Sequence, residues 1–168
     1  EFPMFIDLEA LDSDDPITAS VGHRSDGLAL FYTYAVNVLT GDPEQGKSLV
    51  ALAVAIEVAR AGGIVVWVDL AHNGAAAFRS RIIALGGRDA LGKFRFAQPE
   101  DRGGVLEIVK WTIEQHVPLI VIDSMGELLP MFGASSDSAD DYTRVHRAVL
   151  SPAARVGSCV LVVDHLAK

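Results

Sequence analysis

Gly41-Asp42-Pro43-Glu44-Gln45-Gly46-Lys47-Ser48, GDPEQGKS, fills every defined position of the pattern G-x-x-x-x-G-K-S/T. The spacing has a physical basis. The glycines let backbone N–H groups close around phosphate oxygens, Lys47 supplies a point charge to the outer two phosphates, and the Ser48 hydroxyl takes a position on a Mg2+ ion. By average residue usage the pattern arises by chance in under about 1% of chains this long. Gly41, Asp42, Pro43, Glu44, Gln45, Gly46, Lys47, Ser48 and Leu49 are therefore the expected nucleotide-binding set. Glu44 stands where many such loops carry a third glycine, and its carboxylate is expected to point away from the phosphates, since repulsion there would weaken binding.

The loop lies between an apolar strand-like run, Ala35 to Thr40, and a segment from Ser48 to Ala61 that is rich in Ala, Leu and Val and stops at Gly62-Gly63, as a helix does. Further on, Ile64 to Leu70 (IVVWVDL), Leu119 to Asp123 (LIVID) and Cys159 to Asp164 (CVLVVD) are continuous apolar runs, the signature of parallel strands covered on both faces. Helical spacing occupies Ala75 to Leu85 and Val105 to His116, and a capping pair, Ser138 with Asp141, opens a helix to about Arg155 with a kink expected at Pro152. Phe94 to Ala97 fits a short edge strand. The class is α/β, with a mostly parallel sheet flanked by helices. Upstream, Leu28 to Phe31 and Ala35 to Thr40 suggest a hairpin. Residues 1–26, with Asp12, Asp14, Asp15 and Pro16 close together, read as a loose acidic arm ahead of a nucleotide-binding domain at 27–168.

Length and composition agree with one globular domain: 168 residues, half of them hydrophobic and 21% charged. The net charge of −8 argues against a broad phosphate-binding surface. No apolar run reaches the roughly 18 to 20 residues of a membrane span. No secretory leader is recognised, and Cys159 has no second cysteine to pair with, so a cytoplasmic location and no membrane partner are expected.

A second half of the site is expected at Asp123, a carboxylate at the end of an apolar strand two strands after the loop, where it holds Mg2+ with Ser48. The plain alternative is a strand-end aspartate that caps the next segment. Asp69 and Asp164 also end apolar strands, so chain order selects Asp123. Trp67 and Trp111 lie on core-type segments, Cys159 reads as a buried small hydrophobe, and Arg79 and Arg81 read as a solvated helix face.

With GDPEQGKS, WVDLAHN, LIVIDSMGELL and VLVVDHLAK in this order, the chain resembles RecA-like AAA-type P-loop ATPases of bacterial and phage genomes, among them phage replicative helicases and RepA-like hexameric helicases. The resemblance covers about Gly27 to Lys168. It implies a RecA-like core in which the strand ending in His165 lies between the loop strand and the strand ending in Asp123, so that Lys47, Ser48, Asp123 and His165 converge. It implies ATP with Mg2+ as ligand, ADP as product, single-stranded DNA as partner, and a homo-oligomeric ring or filament. His165 matches the polar residue that senses the terminal phosphate, with Lys168 close to the same tip. The family's water-polarising glutamate falls at Ala71, and Asp69 or Glu127 is the expected substitute. Such cores continue with further strands, so the chain is expected to be C-terminally short. Two functions follow from the resemblance: an ATPase coupled to DNA transactions, or a nucleotide-binding assembly or regulatory module that does not hydrolyse ATP.

Overall fold

A computed structural model of the chain describes residues 8–10 and 17–165. The Asp12 to Pro16 cluster and Lys168 lie outside the described residues. The elements in chain order are β1 (Val21–His23), β2 (Ala29–Phe31), β3 (Ala35–Gly41), α1 (Lys47–Arg60), β4 (Val65–Asp69), α2 (Ala75–Ala84), a 3-10 turn (Arg88–Lys93) and β5 (Phe94–Ala97). There follow α3 (Arg102–Glu114), β6 (Leu119–Asp123), α4 (Met125–Met131), α5 (Ala139–Val145), a π turn (His146–Leu150), α6 (Ser151–Arg155) and β7 (Cys159–His165).

Five strands form one sheet in the order β3-β7-β6-β4-β5, and every pair in it is parallel. Successive side chains on a strand point to opposite faces, so strands covered on both sides need apolar residues at every position. The two cores divide accordingly. Val65, Trp67, Leu119, Val121, Leu161 and Val163 pack with α1 and α2 on one face. On the other face, Val66, Val68, Ile120, Ile122, Val160 and Val162 pack with α3, α4 and α6. Each such side chain contributes about 1.5–3 kcal/mol by leaving water. β5 lies at one edge as expected, and β3 at the other, with β7 as its sheet neighbour.

Three expectations need correction. The hairpin joins β1 to β2, with Val21 opposite Phe31, and β3 belongs to the main sheet. Residues in the supposed loose arm are therefore ordered strand. The reason is close packing on α1: Gly22 has φ 72, and a Cβ there would come 2.8 Å from Val54 Cγ2. The His23 backbone N–H donates to Glu57 at 2.8 Å, and His23 Nδ1 lies 2.6 Å from the same carboxylate. Second, the helix opened by Ser138, whose Oγ accepts from the Asp141 N–H at 3.2 Å, breaks into α5, the π turn and α6. Pro152 sits in the first turn of α6 and has no N–H to continue an α-helical ladder. Third, Met125–Met131 is a helix with Met125, Leu128 and Leu129 buried, not a loop.

Candidate nucleotide site

The site lies where four strand ends meet α1. Asp69 is level with Asp123 in the β4–β6 pair, and Gly41 with His165 in the β3–β7 pair, so the chemistry-bearing residues come out on one edge of the sheet. Ligands of open parallel sheets bind at this carboxyl edge. A cavity of about 390 Å3 opens there, lined by the loop from Glu44 to Leu49, by Leu52, Trp67, Ala71, Asn73, Phe78 and Arg81, and by Asp123 and His165. Its volume is in the range of small-molecule sites.

The loop turns into α1 through Gly46 at φ 81, a left-handed conformation that glycine adopts without steric cost. Glu44 is also left-handed, at φ 64. Its side chain is exposed, yet the residue lines the cavity, so it is not carried clear of the site as expected. Lys47 is buried, and its ammonium donates to the carbonyls of Gly41 at 2.8 Å and Asp42 at 2.5 Å. These contacts curl the loop around the charge. They also hold the charge at the centre of the ring of backbone groups, where an anion would exchange with the carbonyls.

Asp123 is 5% exposed and hydrogen-bonded to Ser48. Burial pushes its carboxyl above the ordinary carboxylate range, and the charges of Asp69 and Glu127 add to the rise. The Ser48 hydrogen bond and His165 pull the other way and do not offset it. A divalent cation at Ser48 and Asp123 would relieve this uncompensated buried charge, so the residues present fit Mg2+.

Asp69, although equally buried, differs. It accepts from Asn73 Nδ2 at 3.3 Å, the Gly74 N–H at 3.1 Å and Gln98 Nε2 at 3.0 Å. Its oxygens tie the end of β4 to the following loop and to the residue after β5. Asp69 is thus a structural tie rather than a substitute base. Ala71 does occupy the cavity wall: the N–H groups of Leu70 and Ala71 donate to the Asp123 carbonyl at 2.8 and 3.4 Å. Glu127 is exposed in the first turn of α4 and accepts a hydrogen bond from Ser124 Oγ, and it does not line the cavity. The Asp123–Ser124 peptide is cis.

Leu52, Trp67 and Phe78 supply an apolar wall, and Arg81 adds a cation that sequence reasoning placed on a solvated face. The spacing held a signal, since Phe78 and Arg81 lie three apart on one helix face. What that face meets depends on how α2 sits against α1 across β4.

Fold and site together define a RecA-like P-loop ATPase domain. The chain belongs to the AAA domain family, whose model matches residues 30–168. It is similar to Protein RecA of Nostoc punctiforme, 32% identical over 116 residues that cover 68% of this chain and 31% of that protein. It is also similar to Protein RecA of Corynebacterium jeikeium, 32% identical over 131 residues, covering 77% and 33% respectively. The chain therefore spans about a third of the length of the curated relatives it matches. A KaiC-like protein from Pyrococcus horikoshii superposes with a TM-score of 0.69 over 90% of this chain and 72% of that one. At 16% identity that likeness concerns the fold. Among the described residues no helix is long and apolar enough to cross a membrane.

Proposed function

We propose that the chain is an ATP-binding core that takes ATP with Mg2+ at Gly41–Leu49 and hydrolyses it in service of a DNA transaction of the helicase or recombination type. The observation that carries this reading is the convergence of Lys47, Ser48, Asp123 and His165 on one cavity. Lys47 exchanges its two carbonyl partners for phosphate oxygens, and the N–H groups opening α1 add their partial positive charge. Ser48 and Asp123 hold Mg2+, which when bound neutralises charge on the phosphates. His165, at the tip of β7, is positioned to contact the terminal phosphate.

The RecA relatives support single-stranded DNA as a partner and a ring or filament of identical copies, with the domain beginning near residue 27. The finer assignment to phage or bacterial replicative helicases rests on the order of the four motifs. With a net charge of −8, DNA contact on this chain would be local.

Ala71 favours a second reading, a module that retains ATP and turns it over very slowly. No carboxylate projects from residue 71, Asp69 is engaged elsewhere, and Glu127 stands outside the cavity. Steady-state ATP hydrolysis with and without single-stranded DNA, beside size-exclusion chromatography with ATP, separates the two. Stimulation by DNA supports the motor. Assembly without turnover supports the module, and neither nucleotide binding nor assembly would refute both.

A further inference from the structure

Arg81 lines the nucleotide cavity from α2, with no ion pair or side-chain hydrogen bond among the described residues. Other arginines are engaged: Arg60 holds Asp89, Arg144 holds Asp141, and Arg95 donates to the Gly92 and Phe94 carbonyls. α2 starts at the carboxyl edge of the sheet, because its N-cap Gly74 is tied to the β4 end through Asp69. Side chains on a helix lean toward its N-terminus. The Arg81 guanidinium is thus directed back along α2 toward the phosphate loop.

Charge balance says what it is for. The charged side chains of the cavity wall are Glu44, Lys47, Arg81 and Asp123. Without Arg81 one ammonium faces two carboxylates, and that ammonium is bonded to loop carbonyls. Such a wall repels a polyphosphate. An unpaired guanidinium, with donors in a planar fork, matches phosphate oxygens bidentately.

We infer that Arg81 is a second cationic ligand of the bound polyphosphate, reaching it from the α2 side opposite Lys47. The inference rests on the nucleotide-site reading above. It makes Arg81 a binding residue whose contribution concerns phosphate and not the base.

The test is calorimetric binding of Mg2+–ATP and of Mg2+–tripolyphosphate to wild type, Arg81→Ala and Arg79→Ala. Arg79 is an exposed neighbour on the same helix and is absent from the cavity wall. Arg81→Ala should weaken both ligands by about 10- to 100-fold, the effect of one charge-assisted contact, and Arg79→Ala should leave both unchanged. Weakening of ATP with tripolyphosphate unaffected would put Arg81 on the base and overturn the inference. Equal weakening by Arg79→Ala would reduce it to general surface charge, and no weakening by Arg81→Ala would return it to a solvated face. If wild type binds neither ligand, the nucleotide-site reading itself is refuted, and Arg81's role with it. Matching thermal melts of the three proteins exclude misfolding as the cause.

Discussion

Replacing Ala71 by glutamate introduces a carboxylate into the nucleotide cavity beside Asp123, and two opposed effects set the outcome. A positioned general base is worth about 10²- to 10⁴-fold, or about 3–5 kcal/mol off the barrier. Against this stands repulsion in the nucleotide-free protein. The Ala71 N–H donates to the Asp123 carbonyl at 3.4 Å, so a carboxylate on residue 71 comes within about 6 Å of a group whose ionisation burial already disfavours. At an effective dielectric near 20 that separation costs about 3 kcal/mol. Ala71 is exposed, and solvent screening brings the cost to about 1 kcal/mol. Ala71→Glu should therefore lower the melting temperature of the nucleotide-free protein by about 2–4 °C and accelerate single-turnover hydrolysis at saturating Mg2+–ATP at least about tenfold. Ala71→Gln fills the same space without a base, and it should show neither change. Equal acceleration by both variants, or none by Ala71→Glu, would refute the assignment of residue 71 to the base position and direct attention to Glu127.

Lys47→Ala should weaken Mg2+–ATP binding by about 100-fold or more in calorimetry, since it removes the buried ammonium at the centre of the loop; unchanged affinity would remove the site from the loop. Asp123 has a raised folded-state pKa, so the stability linked to it is full below the unfolded-state value and is lost as pH rises through the folded one. Asp123→Asn should accordingly be more stable than wild type near neutral pH, with the gain gone by about pH 3 in thermal melts, and it should lose Mg2+-dependent nucleotide binding. Gly22→Ala combines a left-handed φ with a 2.8 Å approach to Val54, and should cost about 2–4 kcal/mol in urea unfolding; a change near zero would mean that the β1–β2 hairpin is not docked on α1. Burial pushes the Cys159 thiol up to about 12, so this single cysteine should resist thiol reagents in native buffer and react as urea opens the sheet.

Continuous apolar runs gave the strands directly, because burial on both faces removes polar positions from β4, β6 and β7. The GKS motif and Asp123 were equally legible. Asp69 and Asp123 look alike in sequence, each ending an apolar strand; what separates them is tertiary, since Asn73, Gly74 and Gln98 engage one and Ser48 meets the other. The β1–β2 pairing was hidden because three-residue strands carry almost no periodicity and the packing that holds β1 comes from α1. Gly126 and Pro130 masked α4, whose seven residues are stabilised by burial rather than by propensity. Arg81 was misjudged because a helix face reads as solvated until the neighbouring helix is in place.

The strand order has a consequence for how the molecule assembles. β3, which carries the phosphate loop, is joined to the sheet through β7, and Asn37 and Cys159, in contact across that pair, are 122 residues apart in the chain. Loop closure of that length is entropically costly and slow. Until β7 inserts between β3 and β6, the loop strand has no partner in the sheet and His165 has no fixed place. The ligand-binding surface is therefore a late product of folding, formed only when sequence-distant strands meet, so nucleotide can stabilise the finished domain but cannot guide its early collapse.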